Sequence, residues 1–219
     1  VLSRESLQRL KPWNVPMGLT LETLRDDLRA HSGAYRKVGA ARLRHLDDAG
    51  DLGIPFTTGI LVGIGETAED RRAALEAIAG CHARHGHIQE VIVQDFQPKP
   101  GTPMEDQAAP DAATMRHAVR GARRILPPEV HSQVPPNLLG GGVRATADWA
   151  DLLDAGARDL GGISLNGDSV SPRHAWPAIA DLETTVTRCG YRAMERLPIY
   201  AETAANLREA ADSLRRELV

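Results

Sequence analysis

The sequence predicts an α/β fold, a partial (β/α) barrel, from three observations. Short runs rich in β-branched residues alternate with longer stretches of helical periodicity at least five times, and the connections are short. This alternation is typical of parallel strands joined by helices. Polar residues follow the predicted strands at their carboxyl ends, the face that carries the active site of a barrel. The length of 219 residues and the 42% hydrophobic content predict a single domain, 1–219.

The elements follow from local patterns. The predicted strands are residues 13–22, 54–62, 87–96, 130–134 and 159–164. The predicted helices are residues 40–50, 69–84, 111–125, 149–156 and 178–188, with a closing helix over 203–218 that packs its apolar side on the barrel. Residues 24–30 are expected to form a short helix or loop. Pro16 and Gly18 weaken the first strand, and Pro127 with Pro128 ends the third helix. The opening residues 3–7 are typical of a helix-loop connection, so we expect a piece of a longer protein.

Composition excludes several classes of function. The net charge of −3 comes with scattered arginines and no basic stripe, so no nucleic-acid partner is expected. No apolar run reaches membrane-spanning length and no signal peptide is recognised, which predicts a cytoplasmic protein with no membrane partner. The two cysteines, Cys81 and Cys189, fall in predicted helices, where we expect them to pack in a reducing compartment.

The centre of the chain is a strand, a glycine turn and a helix at residues 54–84. Three interpretations of the turn are open. Gly63, Gly65 and Ala68 satisfy the loose dinucleotide pattern GxGxxA, with Asp95 as a ribose-binding acid. A tight turn with no ligand is the plainer interpretation. The longer string GILVGIGE at residues 59–66 resembles the GxIxGxxE element of radical S-adenosylmethionine (SAM) enzymes, in which backbone groups hold adenine.

A wider resemblance covers most of the chain, from about residue 13 to residue 200. It is carried by NVPMGLTLE (14–22), IPFTTGILVGIGET (54–67), HGHIQEVIVQDFQPK (85–99), QVPPNL (133–138), GGIS (161–164) and the 172–177 stretch around Trp176. These strings are similar to the radical SAM subunits of FO synthases, the CofG family, and to the matching half of the fused enzyme FbiC. FO is 7,8-didemethyl-8-hydroxy-5-deazariboflavin. The resemblance implies a TIM-like partial barrel of the radical SAM type, with the C-terminal strands only.

The resemblance also implies an activity. SAM and a 4Fe-4S cluster would supply a 5'-deoxyadenosyl radical, which abstracts hydrogen from a hydroxybenzyl-ribityliminouracil adduct derived from tyrosine. Cyclisation and loss of ammonia then give the deazaflavin, so the enzyme is formally a lyase of coenzyme biosynthesis. The activity that joins tyrosine to the uracil would come from a CofH-like partner subunit or a fused domain.

The site residues that the resemblance implies form two groups. The SAM-binding residues would be Glu22, Arg42, Gly59, Gly63, Ile64 and Gly65. Glu22 would accept from the ribose hydroxyls, and Arg42 would clamp the SAM carboxylate. A solvated helix arginine is the alternative for Arg42. The substrate-binding residues would be Gln89, Gln94, Asp95, Gln133, Asn137, Ser164 and Asp168. For any one of these, a loop-capping or strand-end contact is the alternative. His31, His85 and His87 are either proton carriers or packed side chains.

The chain departs from the family in its cluster motif. CxxxCxxC is absent, and the two cysteines cannot replace its three thiolates. We therefore expect the cluster ligands to lie outside this chain, which alone should be inactive. Gly39, Asp95 and Leu165-Asn166 are smaller departures. Three alternatives remain: another radical SAM enzyme of the biotin-synthase type, a nicotinamide-dependent oxidoreductase, and a non-catalytic barrel remnant. The oxidoreductase requires the glycine turn to follow the first strand of its sheet.

Overall fold

The computed structural model describes residues 1–32, 37–138, 145–164, 166–167 and 174–204, with the backbone alone for residues 145–148. The helices are α1 (Arg4–Leu10), α2 (Gly39–Asp51), α3 (Ala68–His85), α4 (Ala112–Ile125), α5 (Ala145–Ala155) and α6 (Ile179–Arg188). The strands are β1 (Met17–Gly18), β2 (Phe56–Val62), β3 (Ile88–Asp95) and β4 (His131–Gln133). Two short 3-10 segments cover Lys11–Trp13 and Arg29–His31. Among the described helices, none is both long enough and apolar enough to span a bilayer.

The four strands form one parallel sheet in the order β1-β2-β3-β4. Each helix between two strands returns the chain to the amino edge of the sheet, as parallel pairing requires. The predicted α/β alternation is therefore confirmed. β2 and β3 are the two central strands of the sheet, and each contains a short apolar run, at residues 60–62 and 91–93.

Helices cover one face of this sheet. Ile60 and Val62 of β2 and Val91 and Val93 of β3 belong to the buried core, together with apolar residues of α2, α3, α4 and α5. Strand alternation turns the intervening residues to the other face, where half-buried side chains stand: Thr57, Leu61, Ile92, Gln94 and His131. The sheet thus has an apolar helix-covered face and a second, more polar face.

Two predicted strands are shorter than expected. In the segment 13–22, only Met17 and Gly18 form a ladder, and Glu22 adds an isolated bridge to Ile60. Proline at position 16 cannot donate to the ladder, and this limits the pairing. In the segment 159–164, only Asp159 forms a bridge, with Gln133. Residues 24–30 are mostly loop, with the 3-10 turn at Arg29–His31. Residues 205–218 of the predicted closing helix lie outside the described residues.

Candidate active site

The carboxyl ends of the strands meet along one edge of the sheet, which we call the rim. Glu22 follows β1, the glycine turn 63–65 follows β2, Asp95 ends β3 and Asn137 follows β4. Because all four strands are parallel, these residues lie on the same edge. The sequence prediction that polar residues gather at one end of the sheet is confirmed for these positions.

Glu22 is held in an unusual backbone conformation at the rim. Its φ of 66° lies in the left-handed region, which residues with a Cβ seldom adopt. Two main-chain hydrogen bonds fix it there: the Glu22 N–H donates to the Gly59 carbonyl at 2.9 Å, and the Leu61 N–H donates to the Glu22 carbonyl at 3.1 Å. Strained residues of this kind cluster at functional sites. These hydrogen bonds fix the backbone of Glu22 beside β2.

Three basic side chains surround the Glu22 carboxylate. Oε1 accepts from Lys37 Nζ at 2.5 Å and from Arg42 at 3.2 Å, and Oε2 lies 3.0 Å from His31 Nε2. Glu22 is 8% exposed and His31 is 1% exposed. The other ring nitrogen of His31 lies 3.0 Å from the Arg25 carbonyl oxygen. Each ring nitrogen of His31 thus lies within hydrogen-bond distance of an acceptor oxygen.

Arg42 reaches the rim from the first turns of α2. Its guanidinium contacts the Thr20 carbonyl and the Glu22 carboxylate, and its side chain is only 11% exposed. The alternative of a solvated helix arginine is therefore wrong. The sequence named Glu22 and Arg42 separately, and the structure brings them together. It also adds Lys37, which the sequence analysis missed because nothing in the local pattern links residue 37 to residue 22.

The glycine turn binds an internal carboxylate. The N–H groups of Gly63 and Ile64 donate to the Glu66 side chain at 2.8–3.1 Å, and Arg71 pairs with the same carboxylate at 2.6 Å. Gly63 and Gly65 have φ of 96° and 98°, which requires glycine at both positions. The N–H groups of Gly63 and Ile64 therefore already have an acceptor within the chain. A ligand at this turn would contact its carbonyl groups and the open side of Gly65.

The amino end of α3 is also satisfied internally. Thr67 and Asp70 form a complete capping box, and Arg25 pairs with Asp70 at 3.3 Å. The capping box provides acceptors within the chain for the N–H groups of Thr67 and Asp70. The turn follows β2 and not the first strand of the sheet. Both observations count against the dinucleotide interpretation of the GxGxxA pattern.

Gly59 has a packing requirement of its own. A Cβ at this position would lie 2.4 Å from the main-chain oxygen of Ile92 on β3. No side chain fits there, so the close approach of two strands explains this glycine without a ligand. Its assignment to the SAM site stays a prediction.

Asp95 ends β3 as a buried carboxylate. Its Oδ2 accepts from Gln97 Nε2 at 2.5 Å, whereas its Oδ1 has no hydrogen-bond partner among the described residues. Burial raises the pKa of Asp95 to about 6, and the Gln97 hydrogen bond opposes that rise. The Gln97 amide also donates to the Leu138 carbonyl at 2.8 Å, which ties the loop after β4 to the end of β3. A buried acceptor without a partner is expensive, so Oδ1 is the rim atom best suited to receive a ligand's donor.

The remaining predicted substrate residues occupy different positions. Gln133 is buried on β4. Gly161 lies beside it, and a Cβ on Gly161 would come within 2.9 Å of Gln133 Nε2, so glycine leaves space next to this amide. Asn137 is buried and donates to the His174 carbonyl at 3.1 Å. Ser164 is exposed, and its hydroxyl accepts from the Asn166 N–H at 3.3 Å. Gln94 is half-buried on the more polar face of the sheet. Asp168 lies outside the described residues.

Gln89 does not belong with the rim residues. It lies six residues before Asp95 on β3, roughly 20 Å away at about 3.3 Å per residue. A β-bulge at this end of the strand places it beside Thr57, and it donates to the Pro198 carbonyl at 3.1 Å. The expectation of a rim position fails because position within a strand, and not residue type, decides which edge a side chain reaches.

The same amino end of the sheet holds a buried ionic cluster that the sequence analysis missed. Arg196 pairs with Glu90 and Asp159 at 2.6 Å each, and the Tyr200 hydroxyl donates to Glu90 at 2.8 Å. The ring of Tyr200 stacks on His131. Burial raises the pKa of Glu90. The signal for this cluster was an acid at position 90, directly before the apolar run 91–93 of β3.

The described cysteines do not fit a 4Fe-4S cluster. Cys81 is fully buried in α3, and burial raises its thiol pKa to about 12, whereas Cys189 caps the end of α6. Cluster ligation needs three convergent thiolates, and the whole sequence contains two cysteines. No step that needs a cluster can be assigned to residues of this chain.

Comparison with known proteins confirms the resemblance read from the sequence. No protein-family model matches the chain. Over 201 residues the chain is 48% identical to the 7,8-didemethyl-8-hydroxy-5-deazariboflavin synthase of Archaeoglobus fulgidus, a match that covers 91% of the chain and 59% of the relative. The protein of the same name from Methanopyrus kandleri is 44% identical over 225 residues, covering 98% of the chain and 65% of the relative. The chain thus spans about three fifths of the length of the first of these relatives.

A solved structure supports the fold class. Methylornithine synthase (PylB) superposes on 89% of the chain and 57% of its own length, with a TM-score of 0.62 and 19% sequence identity. At this identity the likeness concerns the fold alone. Together with the parallel sheet, it confirms the predicted partial (β/α) barrel.

Proposed function

We propose that this chain supplies SAM-binding and substrate-binding residues of an FO synthase. The observation that carries the proposal is the buried Glu22 carboxylate at the rim with the side chains of His31, Lys37 and Arg42 around it, in a chain that is 48% identical to a deazariboflavin synthase. In that family, SAM and its cluster supply hydrogen abstraction from a hydroxybenzyl-ribityliminouracil adduct. Loss of ammonia then makes the reaction formally that of a lyase.

The Glu22 group fits the ribose and amino-acid parts of SAM. Oε1 of Glu22 already accepts from Lys37 and Arg42, whereas Oε2 is in contact with His31 alone among the described residues. A carboxylate oxygen has two acceptor sites, so Oε2 retains one for a ribose hydroxyl. Arg42 has a planar fork of five donors, and its contacts with Thr20 and Glu22 both run through one terminal nitrogen. Its other donors suit the carboxylate of SAM.

The open side of the glycine turn fits adenine. A Cβ on Gly65 would meet only Leu28, at 4.0 Å, so the space beside this residue is free of other described atoms. Glu66 holds the turn rigid through the N–H groups of Gly63 and Ile64. The turn would then contact a flat base by its surface and its carbonyl oxygens. The proposed SAM residues are thus Glu22 and Arg42 with the turn 63–65; Gly59 shapes the strand on which they rest.

The substrate would lie next to SAM along the rim, beyond β3. Oδ1 of Asp95, which accepts no hydrogen bond from any described residue, is suited to a donor of the uracil ring or a ribityl hydroxyl. With a pKa near 6, the same carboxylate can hold a proton under mildly acidic conditions and release it near neutrality. Gln94, Gln133 and Asn137 are the amides within the same part of the sheet. Ser164 and Asp168 are proposed as substrate-binding residues on the family resemblance alone. Gln89 is not proposed, because it lies at the amino end of β3.

A substitution of Arg42 tests the SAM site. Arg42→Ala removes charge-assisted hydrogen bonds and should weaken SAM binding at least about tenfold, measured by titration calorimetry on the folded chain. Arg44→Ala is the matched control, because Arg44 is exposed on the same helix and should leave binding unchanged. Equal affinities for all three proteins would remove Arg42 from the site. Failure of the unaltered chain to bind SAM would contradict the proposal that this chain supplies SAM-binding residues.

The complete reaction requires thiolates from outside this chain. The coding sequence upstream of Val1 should be determined, and the longest polypeptide that it encodes should be expressed and assayed for 5'-deoxyadenosine and deazaflavin. A CxxxCxxC motif and both products would support the proposal, whereas the present chain alone should form neither. If the reading frame lacks such a motif, the second candidate, a non-catalytic barrel remnant, is supported, because the described cysteines cannot hold a cluster. Deoxyadenosine without deazaflavin would favour a biotin-synthase-like enzyme with another substrate.

A further inference from the structure

A mixed cluster of metal-ligand side chains lies between α2 and α3, towards the carboxyl ends of the two helices. It consists of Asp47 on α2 with Cys81 and His85 on α3. One ligand atom from each residue lies within 4.8 Å of the other two. Cys81 and His85 are four residues apart, so they share a face of α3. Among the described residues, this is the group that could hold a metal ion through three such ligands.

Two of the three distances between ligand atoms match edges of a zinc tetrahedron. With bond lengths of about 2.3 Å for sulfur and about 2.0 Å for nitrogen and oxygen, a tetrahedral zinc ion separates sulfur from oxygen by about 3.5 Å and nitrogen from oxygen by about 3.3 Å. Cys81 Sγ lies 3.2 Å from Asp47 Oδ1, and His85 Nε2 lies 3.3 Å from the same oxygen. Small shifts of side chains would therefore admit the ion.

Two further contacts hold His85 in a ligand's orientation. Its Nδ1 lies 3.5 Å from Asp51 Oδ1, the arrangement in which a carboxylate orients a metal-binding histidine. The His85 side chain also packs against Gly50 in the last turn of α2, where a Cβ would come within 2.5 Å of it. Only glycine leaves room for the imidazole at this position.

We propose that Asp47, Cys81 and His85 bind a zinc ion that joins α2 to α3. On binding, the Cys81 thiol loses its proton to solvent and a sulfur–zinc bond forms, with no change of oxidation state. Thiolate and imidazole ligands favour zinc over magnesium or calcium. A water molecule would complete the tetrahedron on the side where Asp47 is partly exposed. The site lies at the carboxyl ends of two helices, away from the rim, so its role is structural.

Arg84 is the group that the ion would displace. Its guanidinium contacts Asp47 Oδ1, but its side chain is 54% exposed and can turn into solvent. Exposed ion pairs of this kind contribute little to stability. Arg84→Gln should therefore bind the metal more tightly than the unaltered chain, by several-fold. Weaker binding by this variant would contradict the assigned position of the ion.

Cobalt(II) titration of the reduced, folded 219-residue chain tests the site directly. A thiolate–cobalt charge-transfer band should appear and saturate at one ion per chain. Cys81→Ser should abolish the band, and His85→Gln should lower the affinity at least about tenfold. Cys189→Ser and His117→Gln are the matched controls, since neither residue belongs to the cluster, and both should behave like the unaltered chain. No band, or a band that survives Cys81→Ser and disappears with Cys189→Ser, would overturn the proposal.

A second measurement avoids the risk that a variant fails to fold. X-ray absorption of the zinc-loaded, unaltered chain should show one sulfur at about 2.3 Å and lighter ligands at about 2.0 Å. Thermal unfolding of the same sample should occur at a higher temperature with zinc than without, because the ion binds the folded state. A coordination shell with no sulfur, or with two, would refute the site.

Discussion

Asp95→Asn is the substitution that most directly tests the electrostatics of the rim. The carboxyl group of Asp95 is buried, one of its oxygens has no hydrogen-bond partner in the part of the chain that the structure describes, and burial raises its pKa to about 6. Asparagine keeps the size and one acceptor oxygen for Gln97 but removes the charge. We expect the variant to be more stable than the unaltered chain at neutral pH, because it no longer buries a carboxylate.

The magnitude follows from the two protonation equilibria. The rise from the ordinary value of 3.8 to about 6 corresponds to about 3 kcal/mol of unfavourable free energy for the ionised form. Because the folded pKa is the higher one, the folded state binds more protons between these values, and stability falls as pH rises through this window. The stabilising effect of Asp95→Asn should thus grow by about 2 kcal/mol between about pH 4.5 and about pH 7.5.

Urea unfolding of both proteins across this pH range measures the difference. Other titrating groups cancel, since they are common to the two chains. Asp106→Asn is the matched control, because Asp106 is exposed in the loop that follows β3; its effect should stay within about 0.5 kcal/mol at every pH. A difference between Asp95→Asn and the unaltered chain that does not change with pH would refute the assigned titration of Asp95.

Two further substitutions test the glycine turn and the strand before it. Gly59→Ala should destabilise the fold by about 2 kcal/mol or more, because its Cβ would overlap the Ile92 carbonyl and force β2 and β3 apart. Glu66→Gln should cost about 1–3 kcal/mol, since the N–H groups of Gly63 and Ile64 would lose a charged acceptor. The free energy of unfolding in urea measures both effects.

The controls for these two substitutions come from the same region. Gly80→Ala should be neutral or stabilising, because Gly80 lies inside α3 and a Cβ there meets only the end of Arg84 at 3.8 Å. Glu69→Gln removes an exposed acid from the first turn of α3 and should change stability much less than Glu66→Gln does. A Gly59→Ala protein as stable as Gly80→Ala would show that β2 and β3 are not as close as described. Equal effects of Glu66→Gln and Glu69→Gln would show that the turn does not depend on Glu66.

The sequence by itself determined the order and type of the main elements. β2 and β3 were predictable because each contains a short apolar run rich in β-branched residues, at 60–62 and 91–93, which is typical of a buried strand. The bounds of α3 and α4 were predictable because local signals mark helix ends: Thr67 with Asp70, and Asp111 before α4. The family resemblance was equally a property of the strings themselves. Glu22 and Arg42 entered the site through that resemblance, and their contact was not evident from spacing.

The tertiary structure decided which polar groups meet, because side-chain contacts between distant segments depend on strand register and helix packing. Lys37 and His31 contact the Glu22 carboxylate, and the N–H groups of the glycine turn donate to Glu66. Gln89 lies at the amino end of β3, away from the rim. The metal-ligand cluster between α2 and α3 is of the same kind, since its residues are separated by 34 positions and become neighbours only when the two helices pack. Local sequence determines the periodicity and the capping of single helices and strands. Which charged side chains pair with one another depends on how those elements pack together.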